Sequence, residues 1–479
     1  MFIGLDLGTS GLKAVLIDGA QAILAEATAP LTASRPQSGW SEQDPADWLE
    51  AADQVMQALG AQRSLDTVQG IGLSGQMHGA TLLDASDTVL RPCILWNDTR
   101  SVDEAAGLDA DPQFRALTGN IVFPGFTAPK LAWVAKHEPD IFARLARVLL
   151  PKDYVRLWLT GEAVAEMSDA AGTSWLDVGK RDWSDDLLAA TQMTRAQMPR
   201  LVEGSDVSGV LRDTLAARWG LPKGVVVAGG GGDNAASAVG VGVVQAGDAF
   251  VSLGTSGVLF AASDAYHPDA ATAVHSFCHA LPNTWHQMGV ILAAADALNW
   301  FAGVTGRPPA ELTHALGPLQ APARPLFLPY LGGERTPHND ANIRAAFLHL
   351  DHSLDTVSMT RVVLEGVTHA IRDSFDALSA TGTKIDRLIA VGGGSKSDYW
   401  VQAIATSLDI AIDLPVSGDF GGAFGAARLG MMAATGAGAE IATRPDIART
   451  IVPDPSLTAS FAQAHARYRD SYVALKGLT

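Results

Sequence analysis

Short aliphatic runs separated by polar or glycine-rich turns recur along both halves of the chain. In the first half they predict strands at residues 2–7, 12–18, 22–29, 68–74 and 225–228. The intervening segments, one of them opened by Asp44-Pro45, predict helices at residues 45–59, 129–136, 151–159, 185–190 and 235–241. Strands that alternate with helices indicate mixed or parallel sheets covered by helices, so the expected fold class is α/β.

The second half shows the same alternation. A strand is predicted at 387–391, and helices are predicted at 290–302, 354–379, 396–408 and 457–475. At 479 residues the chain is too long for a single hydrophobic core, so we expect two large domains. The boundary is predicted at 240–248, in the stretch Gly240–Gly247, and it divides the chain into residues 1–245 and 246–479.

Two turns, one in each half, are nearly identical. The sequence Asp-Leu-Gly-Thr-Ser-Gly at residues 6–11 returns as Ser-Leu-Gly-Thr-Ser-Gly at residues 252–257, and aliphatic runs flank both copies. This context predicts strand, tight turn and strand. Such a turn exposes backbone N–H groups and hydroxyls that suit phosphate oxygens, so the pair favours a nucleotide phosphate chain held between two related domains over two ordinary hairpins. Asp6 also offers a carboxylate for a metal ion, whereas its counterpart Ser252 does not.

Charge and composition exclude several classes of partner. The formal net charge is −17 and the pI is near 5.0, which argues against nucleic acid or an anionic membrane as a partner. The two cysteines show no metal-binding spacing, and so few in a long chain suit a reducing compartment. The N-terminal residues do not resemble a signal peptide, and no apolar run approaches the ~20 residues of a membrane span. We therefore expect a soluble, cytoplasmic protein.

Two glycine-rich segments each join a strand to a helix. Glycines 392–394 follow the strand at 389–391 and precede a helix start, so they favour an adenosine moiety lying against backbone, with a flexible connection as the alternative. Glycines 229–232 precede Asp233 and Asn234 in the same way. One alternative is that Asp233 is nothing more than the residue that caps the helix. Four glycines exceed what a cap needs, however, and they leave space around the carboxylate that a substrate could fill.

Polar loops at two further places offer ligand contacts. Residues 74–79, Ser-Gly-Gln-Met-His-Gly, follow a buried strand, where His78 is either a ligand contact or a satisfied structural group. Residues 96–100, Trp-Asn-Asp-Thr-Arg, combine groups that suit a polyhydroxylated ligand, although ordinary ion-paired turns have the same composition. The pattern G-x-G-x-x-G at 70–75 lies inside a predicted strand with no helix behind it, so a dinucleotide fingerprint is rejected.

With these residues assembled, nearly the whole chain resembles the FGGY carbohydrate kinases, within the fold group of actin, hexokinase and the heat-shock ATPases. Residues 125–137, Gly-Phe-Thr-Ala-Pro-Lys-Leu-Ala-Trp-Val-Ala-Lys-His, are similar to the first signature of that family. Further long matches lie at residues 74–84, 91–98, 149–154, 167–173, 230–236, 275–282 and 328–339. The resemblance implies a two-domain actin/hexokinase-like (ribonuclease H-like) ATPase fold with a cleft between the domains.

The resemblance also implies roles for individual residues. Asp233 takes the place of the catalytic base, and Asp6 lies where the family places a carboxylate near Mg²⁺. The positions that match the sugar site are Met77, His78, Trp96, Asp98 and Asn234. The positions that match the phosphate hairpins are Thr9, Ser10, Lys13, Gly254, Thr255 and Ser256. The positions on the adenosine side are Gly393, Gly394 and Ser397.

The reaction implied is ATP-dependent phosphorylation of D-xylulose to the 5-phosphate, because the Met-His-Gly loop at 77–79 distinguishes members that act on xylulose from those that act on glycerol or gluconate. ATP, Mg²⁺ and D-xylulose are thus the expected ligands. A kinase for another ketose or an alditol is one alternative, and a non-catalytic sugar- or nucleotide-sensing protein of the same fold is another. The sequence leaves the oligomeric state open, with a homodimer as one option.

Overall fold

A computed structural model describes residues 1–416 and 420–478 of the chain. The first half is built around a mixed sheet whose strands lie in the spatial order Val207–Val210, Val226–Ala228, Gly70–Gly75, Phe2–Leu7, Gly11–Ile17 and Ile23–Pro30, with Gly231–Gly232 pairing beside Gly70–Gly75. Short two-stranded pairs surround this sheet: Glu42–Gln43 with Cys93–Ile94, Thr81–Leu83 with Arg147–Leu149, Val164–Glu166 with Arg200–Val202, and Leu176–Asp177 with Asp182–Trp183.

Helices cover the first sheet and extend beyond it. Their bounds are Pro45–Gln62, Val102–Asp109, Pro112–Thr118, Thr127–His137, Pro139–Arg144, Pro151–Thr160, Met167–Ala170, Asp185–Ala190, Asp213–Trp219 and Asp233–Gly240. The helix Pro45–Gln62 shows why they form: Asp44 accepts a hydrogen bond from the Ala46 backbone N–H, and proline occupies the first turn. Its apolar face, which includes Trp48, is buried in the core of this half.

The second half contains another large sheet, with strands in the order His275–Cys278, Trp285–Ile291, Gly257–Ser263, Gly247–Leu253, Ile385–Val391, Ile412–Pro415 and Ile447–Ile451. A separate pair joins Leu326–Leu328 to Ala346–Leu348. The helices of this half are Ala295–Thr305, Pro309–His314, Thr356–Ala380, Asp398–Leu408, Gly422–Thr435 and Thr458–Leu475. The two-domain α/β expectation is confirmed, with a large mixed sheet in each half.

The repeated turn occupies the same place in both sheets. In the first, Phe2–Leu7 pairs antiparallel with Gly11–Ile17 and parallel with Gly70–Gly75. In the second, Gly247–Leu253 pairs antiparallel with Gly257–Ser263 and parallel with Ile385–Val391. The sequence repeat therefore corresponds to a structural repeat, a hairpin beside a parallel strand.

One helix of the second half packs on the first sheet. Gly422–Thr435 lies so close to the strands that a Cβ on Gly4 would stand 1.8 Å from the Ala423 carbonyl oxygen, and one on Gly72 would stand 1.8 Å from that of Ala426. Only glycine allows backbone to approach backbone this closely. The division at residue 245 stays a prediction. The helix Gly422–Thr435 belongs to the second part of the chain but packs on the sheet of the first part.

Most predicted elements are present, but one was wrong. The helix expected at 290–302 begins later, as Ala295–Thr305, because residues up to Ile291 belong to the strand Trp285–Ile291. That strand pairs along its whole length with Gly257–Ser263, and this pairing overrides the local helical pattern. The G-x-G-x-x-G pattern does lie inside the strand Gly70–Gly75. None of the described helices combines the length and apolar character that a membrane span requires.

The tight packing on Gly72 yields a stability prediction. Gly72→Ala should lower the free energy of unfolding by about 1–3 kcal/mol or more, because its methyl group overlaps the Ala426 carbonyl oxygen. Gly107→Ala is the matched control, since a Cβ there meets nothing within 4 Å and alanine favours its helix, Val102–Asp109, by about 0.5–1 kcal/mol. Urea unfolding of both variants measures the difference, and equal midpoints would contradict the packing argument.

Candidate active site

Asp233 is the first residue of the helix Asp233–Gly240, and the cap position belongs to Gly232. The reading of Asp233 as the cap residue is thus wrong. Its Oδ1 instead accepts from the backbone N–H of Asn234 at 2.7 Å and from the Asn234 side-chain amide at 2.9 Å. Burial, and after it the charge of Asp6, raise the pKa of Asp233 to about 6 against the opposing hydrogen bonds from Asn234. The carboxylate is therefore roughly nine-tenths ionised at pH 7 and can still take up a proton.

The glycines before Asp233 serve close packing. A Cβ on Gly230 would stand 2.1 Å from the Leu73 carbonyl oxygen, and one on Gly232 would stand 2.9 Å from Met77 Cγ and Sδ. The expectation that these glycines clear space for a substrate was wrong, because the strand Gly70–Gly75 and Met77 fill that space. Their effect is to hold Asp233 directly against the loop that carries Met77 and His78.

His78 is held in one orientation. Its Nδ1 lies 2.6 Å from the Gly172 carbonyl oxygen, and its ring stacks on Phe126 with centroids 4.5 Å apart. A carbonyl oxygen only accepts, so Nδ1 carries the hydrogen. Burial, and after it the charge of Lys130, lower the pKa of His78 to about 3 against the opposing hydrogen bond to Gly172. The ring is therefore neutral near pH 7, and Nε2 is left as an acceptor for a ligand hydroxyl.

Trp96 and Asp98 lie near this loop but differ in environment. Trp96 is 48% exposed, and its indole N–H donates to Thr9 Oγ1 at 3.0 Å. Asp98 is buried, accepts from the Ser41 backbone N–H at 2.6 Å, and pairs through both oxygens with Arg100. The geometry favours a structural role for Asp98, the ion-paired-turn alternative, and leaves the Trp96 ring accessible to a ligand.

The first hairpin carries Asp6, Thr9, Ser10 and Lys13. Ser74 Oγ donates to Asp6 Oδ1 at 2.8 Å, and the Thr9 hydroxyl donates to Gln76 Oε1 at 2.9 Å. Ser10 is exposed at the tip of the turn. Lys13 stands opposite Asp6 in the strand pair, so both side chains share one face, and its Nζ lies 3.0 Å from Glu26 Oε2. Lys13 thus has a carboxylate partner, Glu26, on the neighbouring strand.

The start of the helix Gly422–Thr435 faces Asp6. A Cβ on Gly422 would stand 2.8 Å from the Asp6 carboxylate and 2.7 Å from Ser74 Oγ. A helix N-terminus favours negative charge, so this end adds a field for phosphate oxygens beside Asp6. Sequence reasoning missed this contact. The available signal was the Gly421-Gly422 pair before a small-residue helix, which parallels the glycines before Asp233.

The second hairpin and the adenosine segment lie side by side in the second sheet, because Gly247–Leu253 pairs parallel with Ile385–Val391. The carbonyl oxygens of Gly254 and Thr255 accept from backbone N–H groups at the start of the helix Ala295–Thr305, which holds the turn, while Thr255 and Ser256 are exposed. Gly392 has φ +88°, and a Cβ there would stand 2.9 Å from the Leu253 backbone. The turn that carries Gly393, Gly394 and Ser397 is thereby fixed against the second hairpin, and Ser397 begins the helix Asp398–Leu408 as its cap.

Two cavities flank this glycine turn. One, of about 760 Å³, runs from Asn234 past Ser252 to Gly392 and Phe420. The other, of about 700 Å³, is lined by Gly393, Gly394 and Ser397 together with Leu298 and Pro309. The first cavity joins the sugar-side residue Asn234 to the predicted adenosine segment, and the second offers partly apolar walls suited to a base. The structure thus places Asn234 in one cavity with the segment predicted to hold adenosine, whereas Met77, His78 and Trp96 are not among the lining residues of either cavity.

A buried cluster of charged side chains is linked to Gly232 by a hydrogen bond. Lys152 Nζ lies 2.8 Å from Asp153 Oδ1, 2.8 Å from Asp169 Oδ2 and 3.3 Å from Glu166 Oε1, and all four side chains are buried. Burial lowers the pKa of Lys152, but the three carboxylates outweigh it and raise the pKa above its usual value. Glu166 accepts from Ser168, whose hydroxyl accepts from the Gly232 backbone N–H at 3.0 Å. The charged members lie within residues 152–169, and the fold brings them against the distant Gly232.

The donor set at Asp6 fits a magnesium ion. The described residues contain no group of three or more His, Cys, Asp or Glu side chains that could hold a metal. Mg²⁺ is usually bound by one or two carboxylates together with substrate phosphates and water. Asp6, beside Asp233 and without a Cβ at Gly422 to crowd it, matches that requirement.

Two family models together match most of the chain. The N-terminal domain of the FGGY family of carbohydrate kinases matches residues 1–240, and the C-terminal domain of the same family matches residues 249–434. These ranges include every residue discussed above as a candidate ligand contact.

Individual relatives agree with the family models. A xylulose kinase of Escherichia coli (strain K12) is 48% identical over 480 residues, which covers 99% of both chains. A solved structure described as a xyloylose kinase from Brucella ovis superposes with a TM-score of 0.98 at 61% identity and covers 100% of both chains. The structure of a xylulose kinase from Rhodospirillum rubrum gives a TM-score of 0.94 at 30% identity, covering 100% of this chain and 99% of that one.

Proposed function

We propose that this chain, which belongs to the FGGY family of carbohydrate kinases, transfers the γ-phosphoryl group of ATP to the 5-hydroxyl of D-xylulose. The observation that carries the proposal is Asp233, a partly buried carboxylate whose pKa is raised, which follows Gly232 against Met77 of the His78 loop and lies within electrostatic reach of Asp6 on the first hairpin. The similarity to xylulose kinases of E. coli and R. rubrum supports D-xylulose as the acceptor.

Asp233 acts as the base in this proposal. The 5-hydroxyl hydrogen bonds to its carboxylate, which orients the oxygen toward the γ-phosphorus and accepts the proton late, as the phosphorus–oxygen bond forms and ADP leaves. The hydrogen bonds from Asn234 to Oδ1 leave the other oxygen, Oδ2, for this contact. A carboxylate with a pKa of about 6 is suited to this step near neutral pH.

The sugar is oriented by the loop beside Asp233. His78 Nε2 accepts from a sugar hydroxyl, because Nδ1–H is committed to the Gly172 carbonyl oxygen. Met77, packed on Gly232, forms an apolar wall between this histidine and Asp233. Asn234 and the exposed ring of Trp96 complete the proposed sugar contacts.

The nucleotide is held by groups from both halves. The exposed tips of the two hairpins, at Ser10 and at Thr255 and Ser256, offer hydroxyl and backbone N–H groups to phosphate oxygens. Mg²⁺, held by Asp6 and the phosphates, would neutralise charge on the nucleotide when bound. The turn with Gly393, Gly394 and Ser397 lines the cavity proposed for adenosine.

The direct test is an ADP-release assay over a panel of D-xylulose, D-ribulose, L-fuculose, xylitol, glycerol and gluconate. We expect the highest kcat/KM with D-xylulose and little ADP release without sugar. A higher kcat/KM with another ketose or an alditol would assign the other acceptor. Binding of sugar and ATP without ADP release would instead identify a non-catalytic sensor.

Removal of the Asp233 charge should lower the catalytic rate without lowering the stability of the protein. Asp233→Asn should lower kcat by roughly 10²–10⁴-fold, the usual contribution of a general base. Because the folded-state pKa of Asp233 is raised to about 6 from its ordinary 3.8, ionisation of this carboxylate lowers the stability as pH rises from about 3.8 to about 6, and the loss stays constant above that pH. At pH 7.5 the variant should thus be at least as stable as the parent by thermal unfolding. Near-parental turnover would remove Asp233 from the mechanism.

The charge of Asp6 should be visible in the pH profile. Asp6 raises the pKa of Asp233, so Asp6→Asn should move the acidic limb of kcat/KM to lower pH, along with a loss of rate in the metal-dependent step. Asp213→Asn is the control, since this exposed carboxylate pairs with Lys223 away from the cleft. The pH dependence of D-xylulose binding, measured from pH 5 to 9 without nucleotide or Mg²⁺, isolates the effect on Asp233, and an unchanged acidic limb in Asp6→Asn would contradict the coupling of the two carboxylates.

A further inference from the structure

Arg335 stands on a segment whose backbone is fixed on both sides of it. The Glu334 carboxylate accepts from the backbone N–H groups of Leu292 at 2.9 Å and of Arg335 itself at 2.8 Å. The backbone N–H of Thr336 donates to the Val290 carbonyl oxygen at 3.0 Å. These contacts anchor the segment beside the strand Trp285–Ile291, so the direction of the Arg335 side chain is set by the second half of the chain.

The guanidinium of Arg335 reaches the sugar side of the cleft. It lies 4.1 Å from the centre of the Phe123 ring, and Phe123 contacts Phe126 with ring centroids 5.6 Å apart. Phe126 in turn stacks on His78. Arg335 and Asp233 therefore mark two ends of a continuous strip of side chains that runs through His78 and Met77.

The charge of Arg335 has no acceptor within the described part of the chain. No carboxylate there lies within 4 Å of the guanidinium, and no carbonyl accepts from it. Burial lowers the pKa of Arg335, and the nearby Glu334 opposes this only in part. Burial also raises the pKa of Glu334 to about 8, so this neighbour is mostly neutral at pH 7. Arg335 is partly exposed, so its guanidinium can reach a ligand in the cleft, and a ligand oxygen would supply the acceptor that the described residues do not.

The chemistry of the proposed acceptor shows which oxygen fits. In a ketopentose the 5-hydroxyl closes the furanose ring by adding to the ketone, so a free 5-hydroxyl requires the open-chain form. That form carries a ketone oxygen, which only accepts, and a guanidinium only donates. In the corresponding alditol a hydroxyl replaces this ketone. The hydroxyl carries a hydrogen, and a guanidinium has no acceptor for that hydrogen.

We infer that Arg335 donates hydrogen bonds to the ketone oxygen of the open-chain sugar and sets the preference for a ketose over the corresponding alditol. The site then matches the sugar at two points: His78 Nε2 accepts a hydrogen bond from a sugar hydroxyl, and Arg335 donates hydrogen bonds to the sugar ketone. The inference rests on the proposed function and adds a specificity-determining residue, contributed by the second half of the chain, to a sugar site built mainly by the first.

The test compares D-xylulose with xylitol, which differ only at the carbonyl carbon. Dissociation constants are measured without nucleotide by tryptophan fluorescence, and kcat/KM is measured by ADP release. In Arg335→Met the Kd for D-xylulose should rise roughly 10- to 100-fold, the value of a hydrogen bond from a charged donor, while that for xylitol changes much less. Arg335→Lys should recover part of the affinity for D-xylulose.

Controls and outcomes separate this inference from the proposed function. Arg344→Met is the matched control, because its exposed guanidinium donates to the Ala341 and Ile343 carbonyl oxygens, and both dissociation constants should stay unchanged. Suppose that the parent enzyme is active and that folded Arg335→Met keeps the parent's ratio of the dissociation constants for D-xylulose and xylitol. This result overturns the inference about Arg335 and leaves the proposed function standing. The same holds if the variant loses only inhibition by the phosphorylated product, since Arg335 would then bind an anion. A parent that releases no ADP with D-xylulose overturns the function and the inference together.

Discussion

The arrangement of the cleft depends on the backbone contacts of one small-residue helix, Gly422–Thr435. On one side it touches the strands at Gly4 and Gly72, and on another a Cβ at Gly425 would stand 1.7 Å from the Ala236 carbonyl oxygen. The helix thus fits between the strand that carries Asp6 and the helix that carries Asp233. Arg428, from the same helix, donates to the carbonyl oxygens of Val239 and Gly240 at 2.9 and 3.1 Å. The separation of the two carboxylates is therefore set by backbone contacts, which deform less than side-chain contacts do.

This fixed separation gives two carboxylates different tasks. Asp233 is partly buried, and its pKa is raised by desolvation and by the charge of Asp6, so it is suited to accept a proton near neutral pH. Asp6 is partly exposed, receives a hydrogen bond from Ser74 and faces a helix N-terminus, so it is suited to a cation that accompanies phosphate. A magnesium ion at Asp6 would also reduce the repulsion that raises the pKa of Asp233, and nucleotide binding would then be coupled to the ionisation of the base.

The two halves share a design but contribute differently to the cleft. Each places a glycine hairpin beside a parallel strand, and both turns offer hydroxyl groups at their tips. The first half supplies carboxylates, through Asp6 and Asp233, whereas the equivalent of Asp6 in the second half is Ser252. The second half supplies the cavity proposed for adenosine and, through Arg335, a positive charge beside the proposed sugar site. The chemistry thus requires both halves, although each sheet has its own core.

The sequence by itself determined the elements and the residue types of the site: the repeated turn, the glycine runs at 229–232 and 392–394, the loop at Met77 and His78, and Asp233 at a helix start. These features are local, since strand periodicity, turn residues and helix starts depend on neighbouring positions. The tertiary structure decided which groups fill the space around them. Met77 occupies the room that the glycines leave, Arg100 takes up the Asp98 carboxylate, and Trp285–Ile291 becomes a strand because Gly257–Ser263 pairs with it. The helix Gly422–Thr435 and Arg335 reach the cleft from positions distant in the chain, and local patterns carry no information on such contacts.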